Sequence, residues 1–144
     1  MSDDPRRMKV YEAEDETFDE DEESLATLQG MCNDITSSPW FKERWPHLWA
    51  LTIKDGRGNR WARISPGKIH LPHGSRMVCI LSHELAHHAD PTGGEDHGPM
   101  FVSLWLFIVG RMYGDYRKQK LARACRKHEV AWDKKIAANG RVGG

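Results

Sequence analysis

The sequence predicts a single α+β domain in which a small antiparallel sheet of about three strands packs on flanking helices. Three observations lead there. Apolar residues recur at helical spacing before residue 46 and after residue 76. Residues 48–71 hold three short strand-forming runs separated by turn residues. The chain of 144 residues can enclose one hydrophobic core and not comfortably two, and its six Trp enlarge a core that 39% hydrophobic residues would leave thin.

Each element follows from local chemistry. Residues 1–24 carry 11 acidic and 3 basic side chains, so this segment is predicted to be acidic and mobile. The domain proper is expected over 25–138, with a flexible tail over 139–144. Leu25, Leu28, Met31, Cys32 and Ile35 predict a helix over 24–35. Ser38-Pro39 then reads as a cap and a first helical residue, for a short apolar helix with Trp40, Phe41 and Trp45 that Pro46 stops.

A strand is expected over 48–54. The run Asp55-Gly56-Arg57-Gly58-Asn59 turns the chain, 60–64 returns as its partner, and 68–71 adds a third strand closed by Pro72. Gly74-Ser75 is expected to cap a helix over 76–89, whose apolar face is Met77, Val78, Leu81, Leu85 and Ala89. Asp90-Pro91-Thr92-Gly93-Gly94 ends it. Pro99 opens an apolar helix over 100–113, Gly114 breaks it, and a last basic helix is predicted over 116–138. Met100, Phe101, Trp105, Phe107, Trp49 and Trp61 are assigned to the core.

Charge and cysteine usage exclude several classes. The 21 basic and 21 acidic residues cancel, so no net field draws the molecule to nucleic acid or membrane. The cancellation hides an asymmetry, since residues 111–144 carry 10 basic and 3 acidic side chains. Either both ends are simply solvated, or the acidic end masks the basic one, or the basic end meets nucleic acid through phosphate contacts. Few aromatic residues accompany the basic stretch, which argues against a stacking surface for single strands. Cys32, Cys79 and Cys125 are far apart and form no CxxC pair, so neither a disulfide framework nor a cysteine zinc ribbon is expected. A reducing, cytoplasmic location fits. The acidic start is unlike a secretory signal, and the apolar run 100–109 is too short to span a bilayer.

The informative stretch is His83-Glu84-Leu85-Ala86-His87, an H-E-x-x-H pattern inside the predicted helix. Residues four apart lie on one helix face, so two imidazoles can hold one metal ion together. Glu84 points aside, where a carboxylate can reach a water on that metal. After a loop containing Pro91, Gly93 and Gly94 comes His97, fixed by Gly98-Pro99 at the next helix entrance. Three His ligands with one open position match a catalytic zinc site, whereas a structural site would want a fourth protein ligand. Zinc lowers the pKa of its water from 15.7 to about 7. Glu84 would take up the proton and pass it to the leaving group.

Together, His83-Glu84-Leu85-Ala86-His87 and His97-Gly98-Pro99-Met100-Phe101 resemble the core of the SprT-like zinc metalloproteases, a family that includes Spartan. Its pattern is H-E-L/M-x-H, a short loop, then H-G-x-x-F. Arg6-Arg7-Met8-Lys9-Val10-Tyr11-Glu12-Ala13-Glu14 also resembles the R-x-x-V-Y-x-A-E start of a smaller family of metallohydrolases from bacteria and phages. The resemblance implies one Zn2+ per chain on His83, His87 and His97, with Glu84 as the catalytic carboxylate. It also implies a minimal zincin fold with an edge strand beside the metal helix. The cysteine ribbon that SprT-like proteins often carry is missing.

Alternatives stay open at several positions. His88, Asp90, Glu95 or Asp96 could replace His97 as third ligand. Asp90, Glu95 or Asp96 could accept the second ring N–H of a ligand histidine. His70 and His73 flank the third strand and are weighed as substrate or oxyanion groups against plain surface histidines. Tyr113 and Arg76 are weaker candidates. The expected function is a zinc metallopeptidase with a protein or peptide substrate that pairs with 68–71, taken as an edge strand. The other readings are a zinc hydrolase of a non-peptide amide or ester, and a nucleic-acid or partner-binding module with an idle metal site. No membrane partner is expected.

Overall fold

A computed structural model describes residues 4–93 and 96–142. The fold is α+β, with seven α-helices and one three-stranded sheet among the described residues. The chain divides into two compact units, Met1–Asp19 with Asp90–Gly144 and Glu20–Ala89.

Helix α1 (Arg7–Thr17) belongs to the other unit, and the first helix of the unit Glu20–Ala89 is α2 (Leu25–Ser37). The Ser24 hydroxyl accepts from the Thr27 N–H at 3.0 Å, an ordinary N-cap. Leu28, Cys32 and Thr36 form the buried face of α2. Gln29 ties this helix to the sheet: its amide donates to Leu51 O at 3.0 Å and accepts from Ile53 N at 2.7 Å. Helix α3 (Pro39–Arg44) buries Phe41, whose ring meets Trp40 and Trp45 edge-on at 5.6 and 5.0 Å.

The sheet holds β1 (Thr52–Asp55), β2 (Arg63–Ser65) and β3 (Lys68–Leu71) in the order β1-β3-β2. It is mixed, which corrects the expected antiparallel sheet: β1 is parallel to β3, and only β2 and β3 form a hairpin. The two-residue turn Pro66-Gly67, with Gly67 at φ 73°, makes that hairpin tight. The segment after β1 is longer, and the Gly56 N–H continues the ladder to Leu71 O at 3.2 Å. Ile53 thereby pairs with Ile69, and both are buried. Strand β3 is therefore central, and the expectation that 68–71 is an edge strand is corrected: the edges are β1 and β2.

Trp49 and Trp61 are also corrected, since they are 73% and 45% exposed. Trp49 lies outside any periodic element, just after the 3-10 turn Pro46–Leu48. Trp61 precedes β2 and is flanked by the Arg60 guanidinium, 5.0 Å from its ring.

Helix α4 (Val78–Ala89) starts two residues later than the sequence implied, and Gly74-Ser75 does not cap it. Ser75 N–H is used in a turn to Pro72 O, and the residue before the helix, Met77, has no side-chain oxygen to cap it. The Glu20 carboxylate supplies the cap by accepting from the Cys79 N–H at 2.8 Å. Glu22 accepts from Gly74 N and Arg76 N.

In the other unit, α1 corrects the expectation of a wholly mobile start. Val10, Ala13, Glu14 and Thr17 are buried at helical spacing. Helix α1 packs against α6 (Asp115–Lys127), where Arg117 donates to Thr17 O at 2.6 Å. Helix α5 (Pro99–Tyr113) is apolar and buried from Phe101 to Val109, and Gly114 at φ 100° ends it. The single basic helix expected over 116–138 is two helices, α6 and α7 (Lys134–Asn139). The break has identifiable causes. Glu129 turns left-handed at φ 59°, and Val130 folds back, buried, onto Cys125 O at 2.8 Å. Asp133 then caps α7 by accepting from Lys135 N and Ile136 N.

All three cysteines are buried, and none of them forms a disulfide. Among the described residues, no helix is long and apolar enough to cross a membrane.

Candidate metal centre

Helix α4 places His83 and His87 one turn apart, with ring centroids separated by 5.0 Å. Both are buried, as are Leu81, Leu85, Ala86 and Ala89 of the same helix. Glu84 is buried too, and its Oε2 lies 3.9 Å from His83 Nε2. A carboxylate and two imidazoles thus share a buried stretch of one helix, where electrostatic effects are larger than in water.

His88 faces elsewhere. Its Nε2–H donates to Lys68 O at 2.8 Å, tying α4 to the central strand β3. Burial pushes its pKa down, against the pull of that hydrogen bond. Asp90 closes the helix instead of offering a ligand: its Oδ1 accepts from Thr92 N at 2.9 Å and Thr92 Oγ1 at 2.7 Å. Asp96 is exposed, and Glu95 lies outside the described residues.

His97 stands just before α5, held within its own unit. Its backbone N–H and its Nδ1–H both donate to Asp4 Oδ2, at 2.7 and 2.9 Å. The Tyr11 ring meets it edge-on at 5.7 Å and Phe101 at 5.1 Å. Asp4 Oδ1 accepts from Arg6 N at 3.0 Å and Arg6 Nε at 3.2 Å. Burial alone would raise the Asp4 pKa, but the N–H groups of Arg6 and His97 outweigh it and hold the carboxyl at about 2.

His83, His87 and His97 are a buried group whose ligand nitrogens lie within 4.8 Å of one another. Such a group could hold a metal ion. The three histidines named from sequence form this group, and Glu84 lies beside His83.

The weaker candidates have other work. His70 Nε2 shares a 2.7 Å hydrogen bond with Ser65 Oγ. Arg76 is buried, donates to Leu71 O and Asp55 Oδ1 at 3.0 Å each, and has His73 beside it. The Tyr113 ring packs on Phe18 at 5.1 Å. In the basic C-terminal stretch, Lys127 and His128 bind Glu16 at 3.0 and 2.7 Å, and His128 also binds Glu12 at 3.2 Å. Part of the acidic start therefore does lie on part of the basic end.

Sequence reasoning missed Asp4. The pair Asp4-Pro5 signals a turn, which the structure has, but no local pattern links it to a histidine 93 residues away. Comparison with protein-family models, with curated proteins and with solved structures found no match for this chain.

Proposed function

We propose that the protein is a zinc-dependent hydrolase, and that the bond it cleaves is a peptide bond. The observation that carries this reading is the buried group of three imidazoles with the Glu84 carboxylate 3.9 Å from His83 Nε2. Three neutral nitrogen donors leave a tetrahedral ion one open position, as hydrolytic zinc sites do. The resemblance of 83–101 to the SprT-like core and its minimal zincin fold supports the same assignment.

Bound zinc would supply an acidified water and a positive charge for the oxyanion. The chain's own residues do the rest. His83, His87 and His97 bind through one ring nitrogen each. Glu84 accepts the proton of the attacking water on its carboxylate and returns it to the leaving amine nitrogen, general acid–base work worth about 10²–10⁴-fold in rate. An extended peptide would add at an edge strand. Strand β2 suits this better than β3, because β3 has a neighbour on each side and β2 packs against α4.

The test combines metal analysis with proteolysis of a disordered protein such as casein. One zinc per chain is expected in the native protein and in Glu84→Gln, with cleavage lost only in the variant. Loss of zinc is expected in His97→Ala. A native protein that takes up no zinc, or cleavage that persists in Glu84→Gln, would overturn the proposal.

A further inference from the structure

We infer that Asp4 is a positioning residue for the metal centre, fixing the ring of His97 so that Nε2 is the ligand nitrogen. The inference rests on the zinc reading above and extends it to a residue outside the motif.

The geometry is specific. One carboxylate oxygen, Asp4 Oδ2, receives two N–H groups of the same residue, the backbone N–H and Nδ1–H of His97. A carboxylate only accepts, so the ring nitrogen facing it carries the hydrogen. In a neutral imidazole the other nitrogen, Nε2, then holds the lone pair that a metal needs. Accepting at both points locks the side chain to its own backbone, which restricts ring rotation. The Tyr11 and Phe101 rings meet the imidazole edge-on and confine it further.

Asp4 is itself immobilised. Its side chain is 2% exposed, and its second oxygen takes two N–H groups of Arg6. The Arg6 guanidinium lies over Gly98, where a Cβ would come within 3.0 Å of Nη1. The glycine after His97 thus leaves room for the residue that holds Asp4. Segment 4–11 accordingly works as a bracket around the third ligand. Metal-bound histidines commonly give their second N–H to a carboxylate, and losing it costs about 10–100-fold in metal affinity.

The experiment measures zinc affinity by competition with a chromophoric chelator, for native protein, Asp4→Ala, Asp4→Asn, His97→Ala and the double variant Asp4→Ala/His97→Ala. Asp4→Ala is expected to weaken zinc binding by about 10–100-fold. Asp4→Asn keeps an acceptor for the two N–H groups without the charge, so its loss is expected to be smaller. In the His97→Ala background, Asp4→Ala is expected to cause no further loss, because a residue acting through His97 has nothing left to position. Nitrogen NMR of the metal-free protein adds a direct readout, with His97 expected as the Nδ1–H tautomer in native protein and as a mixture in Asp4→Ala. Native zinc affinity in Asp4→Ala, or in Asp4→Asn should the alanine variant not fold, overturns the inference alone. An equal further loss in the His97→Ala background also overturns it, as a general structural role would produce that. No zinc uptake by the native protein overturns the hydrolase reading and this one together.

Discussion

Removing the Glu20 carboxylate should destabilise the helix that carries His83 and His87, although Glu20 is remote from them in sequence. The N–H groups of a first helical turn have no partner inside the helix. In α4 the Cys79 N–H is served by Glu20 at 2.8 Å, and Cys79 is only 4% exposed. Water therefore has little access to that N–H once the carboxylate is gone. A buried donor left unsatisfied costs about 1–3 kcal/mol. The lost charge at the helix N-terminus adds about 0.3–1 kcal/mol. Glu20→Ala is thus expected to cost about 2 kcal/mol, and Glu20→Gln about half of that, since its amide oxygen still accepts. For a chain of this size about 2 kcal/mol lowers Tm by roughly 6 °C. The assay is thermal and urea unfolding of the metal-free protein at neutral pH, with Asp21→Ala as control. Asp21 carries the same charge one residue away and is exposed. An equal loss in Asp21→Ala would show that bulk acidity matters and not the cap, and an unchanged Tm in Glu20→Ala would refute the reasoning outright.

Three further outcomes are expected. Gly56→Ala should destabilise by about 1–3 kcal/mol or abolish folding, because its Cβ would lie 2.5 Å from Pro72 N and 2.8 Å from Leu71 C, which are backbone atoms that cannot step aside; urea unfolding measures it, and native stability would contradict it. Burial pushes the Cys32 thiol to about 11 and the Cys125 thiol to about 12, so neither should react with a disulfide reagent at pH 8 in the folded protein, while all three cysteines react in denaturant. Burial and then the cations of Arg63, Lys68 and Lys54 hold the His70 pKa below its ordinary 6.5. The unfolded chain then binds the proton more readily, so this contribution to stability is full above pH 6.5 and declines as pH falls below it; NMR titration should show a low His70 pKa that rises in Arg63→Gln, and an unmoved value would count against the cation's part.

What was legible in the sequence was local. Helix α2 could be read because Ser24 caps it and Leu28 and Cys32 repeat on one face. Helix α5 could be read because Pro99 starts it and Gly114 stops it. The grouping of His83, His87 and His97 was legible because H-E-x-x-H sets its own spacing on a helix, and His97 is pinned beside a helix entrance. Sheet pairing was not legible. Turn residues between β1 and β2 look the same whether the next strand returns beside β1 or on the far side of a third strand, and the choice is made by Ile53 meeting Ile69. The break between α6 and α7 was hidden for a similar reason. Glu129 and Val130 suit a helix by composition, and the turn is fixed by burial of Val130 and by Ser103 Oγ accepting from Asp133 N at 2.7 Å.

The acidic start shows why such misreadings share a cause. As a charge run it predicts solvation, because composition counts charges without asking what each one reaches. In the structure the carboxylates reach different things. Asp4 takes the N–H groups of His97. Glu16 takes those of Lys127 and His128. Glu20 takes the Cys79 N–H at the start of α4. Each acceptor meets donors at least 59 residues distant in the chain, beyond any local window. The apolar spacing of Val10 and Ala13 was the available sign that this segment folds, and it was outweighed by the charge around it. An acidic stretch that carries even a short buried face should therefore be read as a source of caps and histidine partners for the elements it packs against. Its charges are then expected to be individually costly to remove, as the contrast between Glu20→Ala and Asp21→Ala would show.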